Sequence, residues 1–151
     1  MDPATRTLLR TIETPGGSAG ISTDGQSVLV VHAQEPILTL IDPASDRVEQ
    51  RIALHEHTRP AQRVRHSPDR RYVVVTSMEE PLVTILDAAA LDRQTTLRVA
   101  DGPMGVGFAP DGRTMLVGNH GAGRITVVDL DAGCVQRELA AGVGVETLAF
   151  Y

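Results

Sequence analysis

The chain has 151 residues, a net charge of −5 and a single cysteine, Cys134. One cysteine excludes an internal disulfide and every multi-cysteine metal motif. The acidic balance, with all 14 basic residues arginine, excludes the basic face that nucleic-acid binding needs. No run approaches the roughly 18 apolar residues of a membrane-spanning helix, and the N-terminus carries no signal-peptide pattern.

From the N-terminus, residues 1–14 read as a polar strand around Ile12, opened by Asp2-Pro3-Ala4-Thr5. A short glycine-bearing strand follows at Ala19-Gly20-Ile21, then a Ser22-Thr23-Asp24-Gly25 turn, where glycine accepts positive φ and aspartate bonds nearby amides. Val28-Leu29-Val30 and Ile37 to Ile41 are β-branched runs too short for helices, separated by the polar loop His32-Ala33-Gln34-Glu35. Asp42-Pro43-Ala44-Ser45 repeats the opening turn and leads to a charged strand, Val48 to Ile52.

The same series then runs twice more. The second copy has an inner strand at Gln62 to His66, the turn Ser67-Pro68-Asp69-Arg70, and strands at Val73 to Val75, Leu82 to Leu86 and Thr95 to Val99. In the third, Gly105 to Phe108 precedes Ala109-Pro110-Asp111-Gly112, with strands at Met115 to Val117, Arg124 to Val128 and Val135 to Leu139. Glu146 to Phe150 match the inner strand once more. In each copy an aspartate stands 18 residues before another: Asp24 and Asp42, Asp69 and Asp87, Asp111 and Asp129. A constant threonine, Thr39, Thr84 or Thr126, interrupts the otherwise apolar third strand.

Self-similarity at this period, built of short strands and Gly/Pro/Asp turns, predicts an all-β fold: a β-propeller segment of four-stranded antiparallel meander blades. The expected divisions are an outer strand over residues 1–14, complete blades at 15–54, 55–99 and 100–142, and an inner strand of a following blade at 143–151. Three blades form an open segment. Closure is expected either within a longer propeller or by two copies pairing as a homodimer into a six-bladed ring.

Propeller connectivity sorts the loops onto two faces. The aspartate turns lie on one. The second-to-third strand loops and the blade-to-blade crossovers lie on the other, which therefore gathers His32, Glu35, His55, His57, Arg59, Glu79, Glu80, Asn119 and His120 as a candidate ligand-binding rim. His66, on an inner strand, is a candidate for the central channel. Histidines and carboxylates that converge can bind a metal or move protons. Against this, His55-Glu56-His57 lacks the helical spacing of a zinc signature. His32 and Asn119 occupy the same repeat position, which points to a local turn role. Gly121-Ala122-Gly123 joins two strands and opens no helix, so it is not a phosphate cradle. The sequence assigns no catalytic residue, metal ligand or cofactor.

The segment Phe108-Ala109-Pro110-Asp111-Gly112-Arg113-Thr114-Met115-Leu116-Val117-Gly118-Asn119, followed by Val127-Val128-Asp129, resembles the YVTN-type β-propeller repeats of bacterial and archaeal proteins. The tyrosine of the namesake tetrapeptide is absent from all three copies, and WD40 propellers are less similar because the chain has no tryptophan. The resemblance implies a surface, periplasmic or secreted protein that binds another protein or a small ligand without catalysis. Related propellers include lactonases and haem d1 proteins, so an enzyme or a haem- or metal-binding propeller is the alternative. A purely structural, ring-completing segment is the other.

Overall fold

The computed structural model describes residues 4–146 and Leu148. Its strands are β1 (Ser18–Thr23), β2 (Val28–His32), β3 (Ile37–Asp42), β4 (Arg47–Ala53), β5 (Arg63–His66), β6 (Tyr72–Thr76), β7 (Leu82–Asp87), β8 (Ala90–Arg98), β9 (Pro103–Phe108), β10 (Thr114–Asn119), β11 (Arg124–Asp129) and β12 (Cys134–Ala140). Consecutive strands pair antiparallel into three four-stranded sheets, each one blade of the expected open propeller segment. The recurring aspartates shape the turns. Asp24 accepts from the amides of Gln26 and Ser27 at 2.9 and 2.8 Å, and Asp111 from those of Arg113 and Thr114 at 2.9 and 2.8 Å. Asp42 and Asp87 accept from Ala44 and Ala89 across the third-to-fourth strand turns.

Period-two alternation assigns each apolar side chain to one seam between blades. Leu29, Val31 and Leu38 of the first blade meet Val64, Val73, Val75 and Leu86 of the middle blade in one core cluster. Val74, Val83 and Ile85 leave the opposite face of the middle blade to meet Val106, Met115, Val117 and Val128 of the third. This is why the second and third strands read as continuous apolar runs: successive residues serve different seams, and both are dry. The outer strands lack such cover. Every residue of β12 is exposed, while β4 and β8 each bury one residue, Ile52 and Leu91, in the first core cluster and leave the rest exposed or half-buried.

The inner strands converge as their glycines predict. A Cβ on Gly20 would lie 2.6 Å from the Gln62 carbonyl oxygen and 3.1 Å from the Arg63 Cα, both backbone atoms of the neighbouring blade. Only a residue without a side chain fits there.

The two ends depart from expectation. Residues 4–6 turn, Thr7 makes one isolated bridge, and residues 8–14 form no strand. Arg10, Ile12 and Thr14 lie beside the open face of the first blade. Arg10 pairs with Asp46 at 3.0 Å, and Ile12 lines a cavity there. Val143 and Gly144 form a turn, after which Val145 passes Gly118 and Leu148 passes Gly107. The expected inner strand at 143–151 is not formed among the described residues, and residues 147 and 149–151 of it lie outside them.

Candidate functional site

The crossover from the first to the middle blade runs inward across the middle blade. The amide of His55 donates to the Gln94 side chain on the outer strand at 3.0 Å. Thr58 donates to Glu80 through its amide at 3.0 Å and its hydroxyl at 2.6 Å, fixing the crossover to the loop before β7. Farther in, Ser77 donates to the Pro60 carbonyl at 2.8 Å, Met78 to the Gln62 side chain at 2.6 Å, and the Gln62 amide to the Thr76 carbonyl at 3.0 Å. The chain then enters β5. The crossover is a strap bonded to all the outer three strands or their loops before it becomes the fourth.

Beneath the strap lies His57, its side chain wholly buried. Its Nε2 shares a hydrogen bond with the Thr84 hydroxyl at 2.9 Å, and its Nδ1 lies 3.2 Å from a Glu80 carboxylate oxygen. Burial holds the His57 pKa below the usual histidine value, against the pull of Glu80. Burial raises the Glu80 pKa, but hydrogen bonds from Thr58 outweigh it and leave the carboxyl below its ordinary range. Hydroxyl, imidazole and carboxylate stand here in the order of a nucleophile, base and orienting acid. Thr84 is fully buried, however, and its hydroxyl also bonds that of Thr96 at 3.0 Å. No substrate reaches it, and the arrangement works as a clamp.

The same clamp recurs in each blade. His32 Nε2 lies 2.8 Å from the Thr39 hydroxyl, and Asn119 Nδ2 donates to the Thr126 hydroxyl at 2.8 Å. The constant threonine of the third strand thus finds a side-chain nitrogen every time. In the first and third blades the partner comes from the end of the second strand. In the middle blade that position is Ser77, too short to reach, and the crossover supplies His57 instead.

This placement divides the expected rim. His32 and Asn119 are fully buried and His57 nearly so. They are internal supports: instead of the expected side chain-to-backbone turn bond, His32 shares one with the Thr39 hydroxyl on the next strand, while Asn119 donates to the Val117 and Arg124 carbonyls as well as to Thr126. Glu80 is half-buried and committed to the strap. Burial also lowers the His32 pKa. Glu35, His55, Arg59 and Glu79 are exposed, and His120 is partly so, with Nε2 3.4 Å from Glu146. Among the described residues these exposed side chains share no hydrogen bond with one another, and no three His, Cys, Asp or Glu are placed to hold a metal ion. No helix of the described residues is long and apolar enough to cross a membrane.

His66 does not face the channel. On β5, Val64 and His66 turn toward the first blade, and Arg63 and Arg65 turn the other way. His66 Nδ1 lies 2.9 Å from the Ser22 hydroxyl and its Nε2 3.5 Å from that of Ser27. It closes the aspartate-turn end of the seam. Burial lowers its pKa, opposed by Asp24. Burial raises the Asp24 pKa in turn, but the amides of Gln26 and Ser27 outweigh this and bring it down to about 2.

Several residues that bear on the site have no role in the sequence reading. Thr58 and Ser77 anchor the strap, and Arg71 joins the middle and third blades on the aspartate face through Asp69 at 2.6 Å and Asp131 at 2.8 Å. The visible signal for the clamps was the threonine itself, a hydroxyl inside an apolar run that needs a partner.

No protein-family model matches the chain, and no curated protein matches it. Solved structures do. Hydrazine synthase of Kuenenia stuttgartiensis superposes with a TM-score of 0.77 at 21% identity, over 93% of this chain and 41% of that one. The WD40 repeats of RRP9 and the structure of U3-55K each superpose with a TM-score of 0.80 at 14% identity, over 91% of this chain and 43% of theirs. The chain is similar to these propellers in fold, and it spans about two-fifths of their length.

Proposed function

We propose that the chain is a non-catalytic propeller segment of YVTN-like type whose crossover rim binds a partner protein or small ligand. The observation that carries this is the contrast between buried and exposed residues on the rim. His32, His57 and Asn119 are buried and bond the third-strand threonines Thr39, Thr84 and Thr126. Glu35, His55, Arg59, Glu79 and His120 stand on those held loops and face solvent. A polar surface on fixed backbone binds without first ordering its loops, which removes part of the entropic cost of association. The YVTN-like reading is supported by the residues of 108–119, which carry a Pro-Asp-Gly turn followed by Met115-Leu116-Val117-Gly118-Asn119.

A photo-crosslinking amino acid placed at Arg59 or Glu79, with Arg70 on the opposite face as control, tests the rim. Specific adducts are expected from the two rim positions in a lysate of the source cells. Equal labelling from Arg70 would remove the preference for this face.

A second observation favours self-association. Ile21 is 71% exposed on the open face of the first blade. It borders a cavity of about 440 Å³ with Ile12, Val28, Val30 and Ile41. These positions correspond to those that the middle blade buries against its neighbour, so the fitting occupant is another blade face, such as that of a second copy. Twice 16.1 kDa is the expected solution mass of the isolated chain, and Ile21→Arg is expected to weaken pairing by about ten-fold or more. A monomer at all concentrations would end the six-bladed ring reading.

A further inference from the structure

The repeat breaks at one place that the rim does not explain. Counted back from the first aspartate of each copy, the inner strand carries Ser18 and Gly20 in the first blade and Gly105 and Gly107 in the third. The middle blade has Arg63 and Arg65 there instead. Small residues suit this crowded edge, as the Gly20 contacts show, so two of the bulkiest side chains need a reason to be there.

Their surroundings supply it. Arg63 and Arg65 are exposed and alternate on β5, so both project from the same face, with Cα atoms about 6.6–7 Å apart. Together with Met104, Gly105, Val106, Glu146 and Leu148 they line a cavity of about 150 Å³ on the inner edge of the segment. Arg65 donates one bond across the seam to the Val106 carbonyl at 3.1 Å, which holds its side chain over β9. Arg63 donates to the Gln62 carbonyl at 3.3 Å. Most of the donors on both guanidinium groups remain for the cavity. Neither arginine pairs with a carboxylate among the described residues. Glu146, the acidic group of the lining, is 3.4 Å from His120. Two like charges side by side repel each other, and an anion between them relieves that repulsion. The planar forks match the paired oxygens of carboxylate and phosphate.

We propose that Arg63 and Arg65 form a binding site for a small molecule carrying two oxyanion groups, carboxylate or phosphate, seated in the cavity between β5, β9, Glu146 and Leu148. The site adjoins the rim at Glu146, which lies 3.4 Å from His120, but the two arginines that carry it are not rim residues. The chain's net charge of −5 repels anions in general, so saturable uptake of a polyanion requires a local site of this kind.

Isothermal titration with citrate and, separately, pyrophosphate in about 150 mM salt tests it. Saturable binding of at least one is expected: citrate assigns carboxylate chemistry, pyrophosphate assigns phosphate. The double variant R63S/R65G installs the residues that the first blade carries at these positions, so the strand has a precedent for them. It is expected to bind about ten-fold more weakly or worse. Glu146→Gln is expected to bind more tightly, because it removes the opposing charge. If the double variant is not folded by circular dichroism, Arg65→Lys is read in its place; it keeps the charge, loses the fork and is expected to bind several-fold more weakly. Absence of saturable binding to both probes, or affinity unchanged within about two-fold in the arginine variant, overturns the proposal.

Discussion

Replacing His57 by alanine is expected to destabilise the chain by about 2–4 kcal/mol, through two lost hydrogen bonds and the cavity left beneath the strap. For a chain of this size that lowers Tm by roughly 5–15 °C. The side chain is wholly buried and bonds Thr84 at 2.9 Å and Glu80 at 3.2 Å. Its removal takes one of two partners from the buried Thr84 hydroxyl, which keeps Thr96, and loosens the loop that Glu80 holds. His55, two residues earlier, is exposed, and His55→Ala is expected to stay within about 0.5 kcal/mol of the parent. The pair therefore separates a structural histidine from a surface one in the same crossover. A double-mutant cycle with Thr84→Val isolates the clamp, since the two residues touch and their effects are expected to be strongly non-additive. Denaturant unfolding of the parent and the four variants makes the check. Equal, small losses for His57→Ala and His55→Ala would show that the clamp carries no stability.

The difference between those two histidines was not legible in the sequence, although the fold was. Periodic aspartates, turn prolines and glycines report local backbone geometry, and local geometry repeated three times leaves one architecture. The aspartate pairs marked the turns and placed the histidine-bearing loops on the far face. Which histidines face solvent depends on contacts between segments far apart in the chain. His57 bonds Thr84, 27 residues on, and His66 bonds Ser22, 44 residues back. Neither pairing leaves a pattern at short range. The alternation that sends His66 toward the first blade and Arg65 toward the third was present in β5. It had no direction until the neighbouring blades fixed which side was which. Residues 8–14 show the converse limit: Ile12 falls at the repeat position of Ile52, Leu97 and Leu139, yet these residues form no strand, because register in a repeat does not by itself supply a paired backbone.

Acid should unfold this protein in two stages, and the first begins near neutrality. Burial holds the pKa of His32, His57 and His66 below the ordinary 6.5. The unfolded chain therefore binds more protons than the folded one once the pH drops below about 6.5. The stability gained from keeping these rings neutral is fully present above that value and is lost as the pH falls toward their folded pKa values. His32 and His57, both buried, set a slope of at most about 3 kcal/mol per pH unit, with His66 adding to it. The aspartates act later. Burial raises Asp24 but turn amides bring it to about 2, and the Arg113 guanidinium with the Ala132 amide brings Asp129 to about 2. Their contribution is present above the ordinary 3.8 and disappears as the pH falls from there toward 2. Denaturant midpoints from about pH 8 to about pH 5 should decline before any carboxylate titrates. The decline should be shallower in His57→Ala, which has one fewer buried ring to protonate. Midpoints constant over that range would overturn this, showing that the buried rings accept a proton without loss of stability. A slope unchanged in His57→Ala would move the pH dependence to His32 and His66.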